Sequence, residues 1–93
     1  MKYIQFQADD GSWWEVPALV VANNRATYYA AREPGVYTEE YTYTIENDDE
    51  LIDWAQNNMN WDDVKDKATM FCGPPSLNMQ AAWTNGHMEV ADR

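Results

Sequence analysis

PALVVANNRATYYAAREPG, residues 17–35, is the stretch on which the reading of the whole chain turns. Pro17 suits the first position of a helix, where its missing N–H costs nothing. From Ala18 to Arg32, the residues Leu19, Ala22, Ala26, Tyr29 and Ala30 recur at helical spacing and predict one apolar face. Its alanines make that face shallow, so the backbone can lie close on a sheet. Pro34-Gly35 then ends the helix.

Sheet material lies on both sides of this helix. Residues 2–7 and 12–16 predict a β-hairpin, with Ile4 and Phe6 alternating with polar neighbours and Asp10-Gly11 in the turn. Trp13, Trp14 and Val16 give its second strand apolar content. Downstream, Tyr41, Tyr43 and Ile45 alternate with Glu40, Thr42, Thr44 and Glu46, which predicts a half-buried strand over 40–46. Asn47 with Glu50 three places on predicts a capped helix to about Asn58, buried through Leu51, Trp54, Ala55 and Met59. Asn60 and Asp63 repeat the capping spacing for a short helix over 61–67. Ala68 to Cys72 suggests a buried strand, Gly73-Pro74-Pro75 a loop, and Asn85-Gly86 a hairpin turn between strands near 79–84 and 87–91. The expected fold is a single α+β domain over residues 1–93. It has a small mixed or antiparallel sheet with an N-terminal hairpin, and one long and one or two shorter helices packed on it.

The 93 residues, 45% hydrophobic and 14% aromatic, suffice for one modest core without disulfide or metal. No segment approaches the roughly 18 consecutive apolar residues of a membrane span. The strand-like start KYIQFQ reads as no signal peptide, and a lone cysteine, Cys72, cannot form an internal disulfide. These features together predict a reducing cytoplasm.

Charge is the most informative property. The net charge is −10, and residues 33–66 carry eleven acids against one base, Lys65, while both flanks balance. Such asymmetry points to an electrostatically selective surface. It argues against direct contact with nucleic acid, whose phosphates would be repelled.

Catalysis finds little support. The four glycines sit at turns, outside any phosphate-cradling pattern, and neither Ser12 nor Ser76 lies in a nucleophile-elbow motif. Cys72 and His87 form a nucleophile pair only if their strands are neighbours; a core cysteine and a turn-flanking histidine is the better reading. One Cys and one His make no structural zinc site without carboxylates, and the run 47–52 lacks the glycine of a calcium loop. No enzyme activity, cofactor or metal is expected.

Two surfaces stand out instead. Glu46, Asp48, Asp49, Glu50, Asp53, Asp62, Asp63 and Asp66 fall on two successive helices and their caps, and share one surface if those helices pack side by side. They are either a solvated face, a docking face for a basic protein, or a mimic of a DNA phosphate array. On the long helix, Val21, Arg25, Tyr28 and Arg32 lie opposite the alanine face and suggest a secondary interface. The alternative is that the arginines pair with the chain's own acids.

The pattern W-E-V-P-x-x-V-V-A-x-x-R-A-x-Y-Y-A at 14–30, ELIDWAQNNMNWDDV at 50–64 and WTNG at 83–86 resembles small uncharacterised acidic proteins of tailed bacteriophages. The motifs are fold markers and bring no catalytic residues with them. The resemblance implies an accessory, host-directed factor in the cytoplasm of an infected bacterium. It would bind and inhibit or modulate a host protein, such as a nucleic-acid-handling or defence complex. The rival expectation is a homo-oligomeric structural or virion-assembly component, associating through the Val21–Tyr28 stripe and edge strands.

Overall fold

The computed structural model describes residues 1–8, 11–72 and 79–92. Asp10 of the first turn, the Gly73-Pro74-Pro75 loop and Ser76 lie outside the described residues. Strand β1 (Lys2–Gln7) pairs antiparallel with β2 (Trp13–Pro17), followed by helices α1 (Ala18–Arg32), α2 (Tyr37–Glu46), α3 (Asp48–Asn58) and α4 (Trp61–Val64). A 3-10 turn (Lys65–Lys67) leads to β3 (Thr69–Cys72), then α5 (Met79–Asn85) and β4 (Met88–Asp92). The sheet runs β3-β2-β1-β4, antiparallel throughout. The fold is α+β, as expected, with the hairpin at its centre.

Alternation along the strands sends Ile4, Phe6, Val16 and Met88 to one face, where they are buried under the helices. α1 covers them with Ala18, Val21 and Ala22, α3 with Leu51, Trp54 and Ala55, and α5 with Ala82 and Trp83. Phe6 meets Trp83 and Trp61 edge-on at 5.2 and 5.9 Å, and Trp14 meets Trp61 at 5.7 Å. Such T-shaped pairs bring the positive ring edge onto the negative face. Trp83 is fully buried, and its indole Nε1 donates to the Ala55 and Met59 carbonyls at 2.8 and 3.2 Å. Ala55 is one of the last four residues of α3, whose carbonyls lack intrahelical donors.

Several expectations need correcting. Residues 40–46 belong to a helix, not a strand. Tyr37, Tyr41 and Ile45 recur every fourth residue, and Tyr37 stacks on Tyr41 at 6.1 Å. Thr44, read as solvent-facing, is fully buried and donates its hydroxyl to Glu40 O one turn earlier. Glu39 and Glu40 occupy the first turn, where the helix dipole favours anions. Seven alternating residues are too short a sample to separate the two periods.

Residues 79–84 are likewise helical, so Asn85-Gly86 ends α5 and is not a hairpin turn. Gly is a stop signal for helices as well as a turn former. Its small size is needed here for another reason. A Cβ on Gly86 would collide with the Ala82 carbonyl and lie 2.6 Å from Gln7 O. The neighbouring Gln7 N–H donates to His87 O at 3.0 Å, so neither backbone can withdraw cheaply. Gly86→Ala is expected to cost about 1–3 kcal/mol through this overpacking, read as a lower urea midpoint with unchanged slope.

The face of α1 is rotated from the expected one. Leu19 is 43% exposed while Val21 is fully buried, so the stripe is Ala18, Val21, Ala22 and Ala26. Asn47 does stand at the N-cap of α3, but makes no side-chain cap bond; its Nδ2 donates back to Tyr43 O. Asn60 and Asp63 form the expected capping box. β3 is an edge strand with Met70 and Phe71 exposed, not a buried one.

Candidate protein-binding surface

The acidic residues form two groups. Glu46, Asp48, Asp49 and Glu50 gather where α2 gives way to α3, with Asp53 about one turn further along α3. Asp62 and Asp63 lie on α4 and Asp66 on the 3-10 turn, beyond the far end of α3. The 11 residues of α3 correspond to roughly 16 Å. α3 packs on α1, α2 and α5, while α4 lies against α5.

Three of these eight acids face a cation within the chain, and two more accept hydrogen bonds. Lys2 Nζ reaches Asp48 Oδ1 at 3.0 Å and Ile45 O at 2.8 Å, tying β1 to the end of one helix and the start of the next. Glu50 faces Arg25 at 3.5 Å, Asp62 pairs with Lys65 at 3.3 Å, and Asp63 accepts from the Asn60 N–H at 2.8 Å. Glu46, Asp49, Asp53 and Asp66 are exposed and meet no lysine or arginine among the described residues. Asp53 accepts only a bond from Asn57, at 2.9 Å.

The secondary stripe dissolves in part. Val21 is core, which removes it from any interface. Arg25 has a side chain only 12% exposed, between Glu50 and, at 4.0 Å, Glu40. It donates to Thr44 Oγ1 at 3.0 Å, and its guanidinium lies 5.0–5.8 Å from the rings of Tyr43, Tyr29 and Trp54. Sequence reasoning left open that this arginine pairs with the chain's own acids, and it does. Arg32 and Tyr28 stay at the surface, the guanidinium 3.8 Å over the ring.

Two adjoining surface grooves were missed. One, about 400 Å³, is lined by Leu19, Asn23, Tyr37, Thr38 and Tyr41; the other, about 360 Å³, by Met1, Lys2, Leu19, Tyr41, Ile45 and Glu46. They follow from the helical state of α2, which places Tyr37, Tyr41 and Ile45 beside Leu19. The 3.6-residue period over 37–45 was the signal that could have found them.

Cys72 and His87 lie by strands at opposite edges of the sheet, separated by β2 and β1, roughly 14 Å at the usual strand spacing. The backbone therefore does not make neighbours of the strands they lie by, and the Cys72 side chain lies outside the described residues. Among the described residues, no three His, Cys, Asp or Glu side chains come together as a metal site, and no helix is long and apolar enough to cross a membrane. Comparison with protein-family models, with curated proteins and with solved structures finds no match to the chain.

Proposed function

We propose that the chain is a non-enzymatic binding protein whose acidic surface docks a partner protein with a basic surface. The observation that carries this is the set Glu46, Asp49, Asp53 and Asp66, exposed carboxylates that meet no cation among the described residues, while their neighbours Asp48, Glu50 and Asp62 each have one. Helix capping and internal pairing account for the engaged acids and leave these four over. Uncompensated like charges at a surface repel one another and are relieved by a complementary partner, which they also steer. The resemblance to small phage proteins supplies the setting: an accessory factor in an infected cell that modulates or inhibits a host protein.

The test neutralises the four, with Glu46→Gln, Asp49→Asn, Asp53→Asn and Asp66→Asn in one chain. Folding should change little, because exposed substitutions each stay within about 0.5 kcal/mol. Capture of a partner from bacterial lysate should weaken strongly, and capture by the unaltered chain should fall as salt rises. Equal capture by both chains at all salt concentrations would remove the acidic surface from the account. If duplex DNA competes with the chain for the captured protein, the acids act as a phosphate mimic.

A second reading is homo-oligomeric assembly, as a structural or virion-assembly component. The grooves beside Leu19, with Tyr37 and Met1 also exposed, favour it. Light scattering at micromolar concentration separates the two: a monomer excludes assembly, whereas a stable ring supports it.

A further inference from the structure

The face of the sheet turned away from the helices carries a second recognition feature. Since Ile4, Phe6, Val16 and Met88 face the core, strand alternation sends Gln5, Trp13, Glu15 and Glu89 outward. A shallow pocket of about 200 Å³ there is lined by Gln5, Trp13, Phe71 and Glu89, one residue from each strand. The Trp13 and Phe71 rings lie 6.4 Å apart and tilted by 39°, and Phe71 is 47% exposed. Gln5 is flanked across the ladder by Glu15 on one side and Glu89 on the other, so two carboxylates share its row. Glu15 is only 8% exposed. The one lysine or arginine in the four strands, Lys2, turns to the helix side, where it bonds Ile45 O and Asp48.

We infer that this pocket takes the guanidinium of an arginine presented by a basic segment of a partner protein. The occupant follows from charge and shape. Aromatic faces carry negative potential, and the Glu89 carboxylate that lines the pocket adds to it, so an anion is repelled. An apolar side chain would strip water from Glu89 and return nothing. An ammonium satisfies the charge but cannot lie flat on two rings, whereas a guanidinium stacks and offers its fork of N–H donors to a carboxylate. Stacking also covers Phe71, a large apolar surface otherwise left in water. The Glu89 carboxylate, 3.3 Å from the exposed His87 Nε2, is reachable from solvent.

The inference rests on the reading of the partner as a basic protein, but uses a surface separate from Glu46–Asp66. The probe is a blocked peptide of alternating arginine and glycine, titrated into the isotopically labelled chain and followed by amide and indole NMR shifts. A matched lysine peptide is the comparison. Shifts should centre on the Trp13 indole and on Gln5, Phe71 and Glu89, with the arginine peptide bound more tightly. Glu89→Gln and Phe71→Ser, both at exposed sites, should each weaken binding about three- to tenfold, with spectra otherwise unchanged. Equal binding of the lysine peptide overturns the arginine assignment. Shifts confined to Glu46–Asp66 overturn the pocket and leave the acidic surface standing. Shifts at neither surface overturn both.

Discussion

Trp83→Ala should destabilise the fold by about 3–5 kcal/mol, measured by urea denaturation followed by circular dichroism. Total stability for a domain of this size is about 5–15 kcal/mol, so the variant stands close to unfolding. Two losses combine. The indole is fully buried against Phe6, and its removal leaves a cavity at the junction of α3, α5 and the sheet. The Ala55 carbonyl also loses its donor at a helix end. Trp83→Phe weights the two differently, since it keeps an aromatic ring while removing the N–H and only part of the buried volume. It should cost about 1–3 kcal/mol, the penalty for a buried acceptor left unpaired. A cost below 1 kcal/mol for Trp83→Ala would contradict the packing described.

Arg25→Met should cost about 2–4 kcal/mol, below the full penalty for a broken buried pair because Glu40 and Glu50 keep some contact with water. Methionine retains much of the aliphatic volume against Tyr29, Tyr43 and Trp54, so the loss is mainly electrostatic. The substitution leaves the Glu40 and Glu50 carboxylates, which lie 4.0 and 3.5 Å from the guanidinium, without their cation. Adding Glu50→Gln should recover part of the loss, and the double-mutant cycle measures the coupling. If Arg25→Met is neutral and partner binding fails instead, Arg25 belongs to an interface after all.

Local signals made α1, the hairpin, α3 and the Asn60–Asp63 box legible from sequence. Each rests on chemistry complete within a few residues: proline at a helix start, alternating apolar residues in a strand, an acid three places after a cap. α2 and α5 were not legible, for related reasons. Tyr41 and Ile45 fit both periods, and Arg25, far off in sequence, holds the inner side of the helix through Thr44 and Glu40. Asn85-Gly86 carries a turn signal that also fits a helix end, and the distant Gln7 backbone is what demands the glycine. Val21 was misplaced because a helix with apolar residues at 19, 20, 21 and 22 has two candidate faces, and only the neighbours it meets choose between them. The acidic residues were found at once, because charge is read directly from composition. Which of them stay uncompensated was not, since Lys2 and Arg25 reach theirs from 46 and 25 positions away.

The order β3-β2-β1-β4 has a bearing on how the chain folds. Lys2 opposes Asp92 and Ile4 opposes Val90, so one side of the central strand is completed only by closing a loop that takes in almost the entire chain. The entropy of that closure grows only slowly with length, but it must be met before the contacts it brings are formed, which slows folding. The hairpin and α1 are contiguous and can form early. Until β4 arrives, β1 presents an open edge beside Ile4 and Phe6, the pairing surface through which unfinished β-proteins associate with one another. Two residues separate α5 from β4, and the helix's Trp83 docks on Phe6 of β1, the strand that β4 joins. It is therefore placed to guide β4 into register, which makes the last helix a shield for the sheet during assembly as well as part of its core.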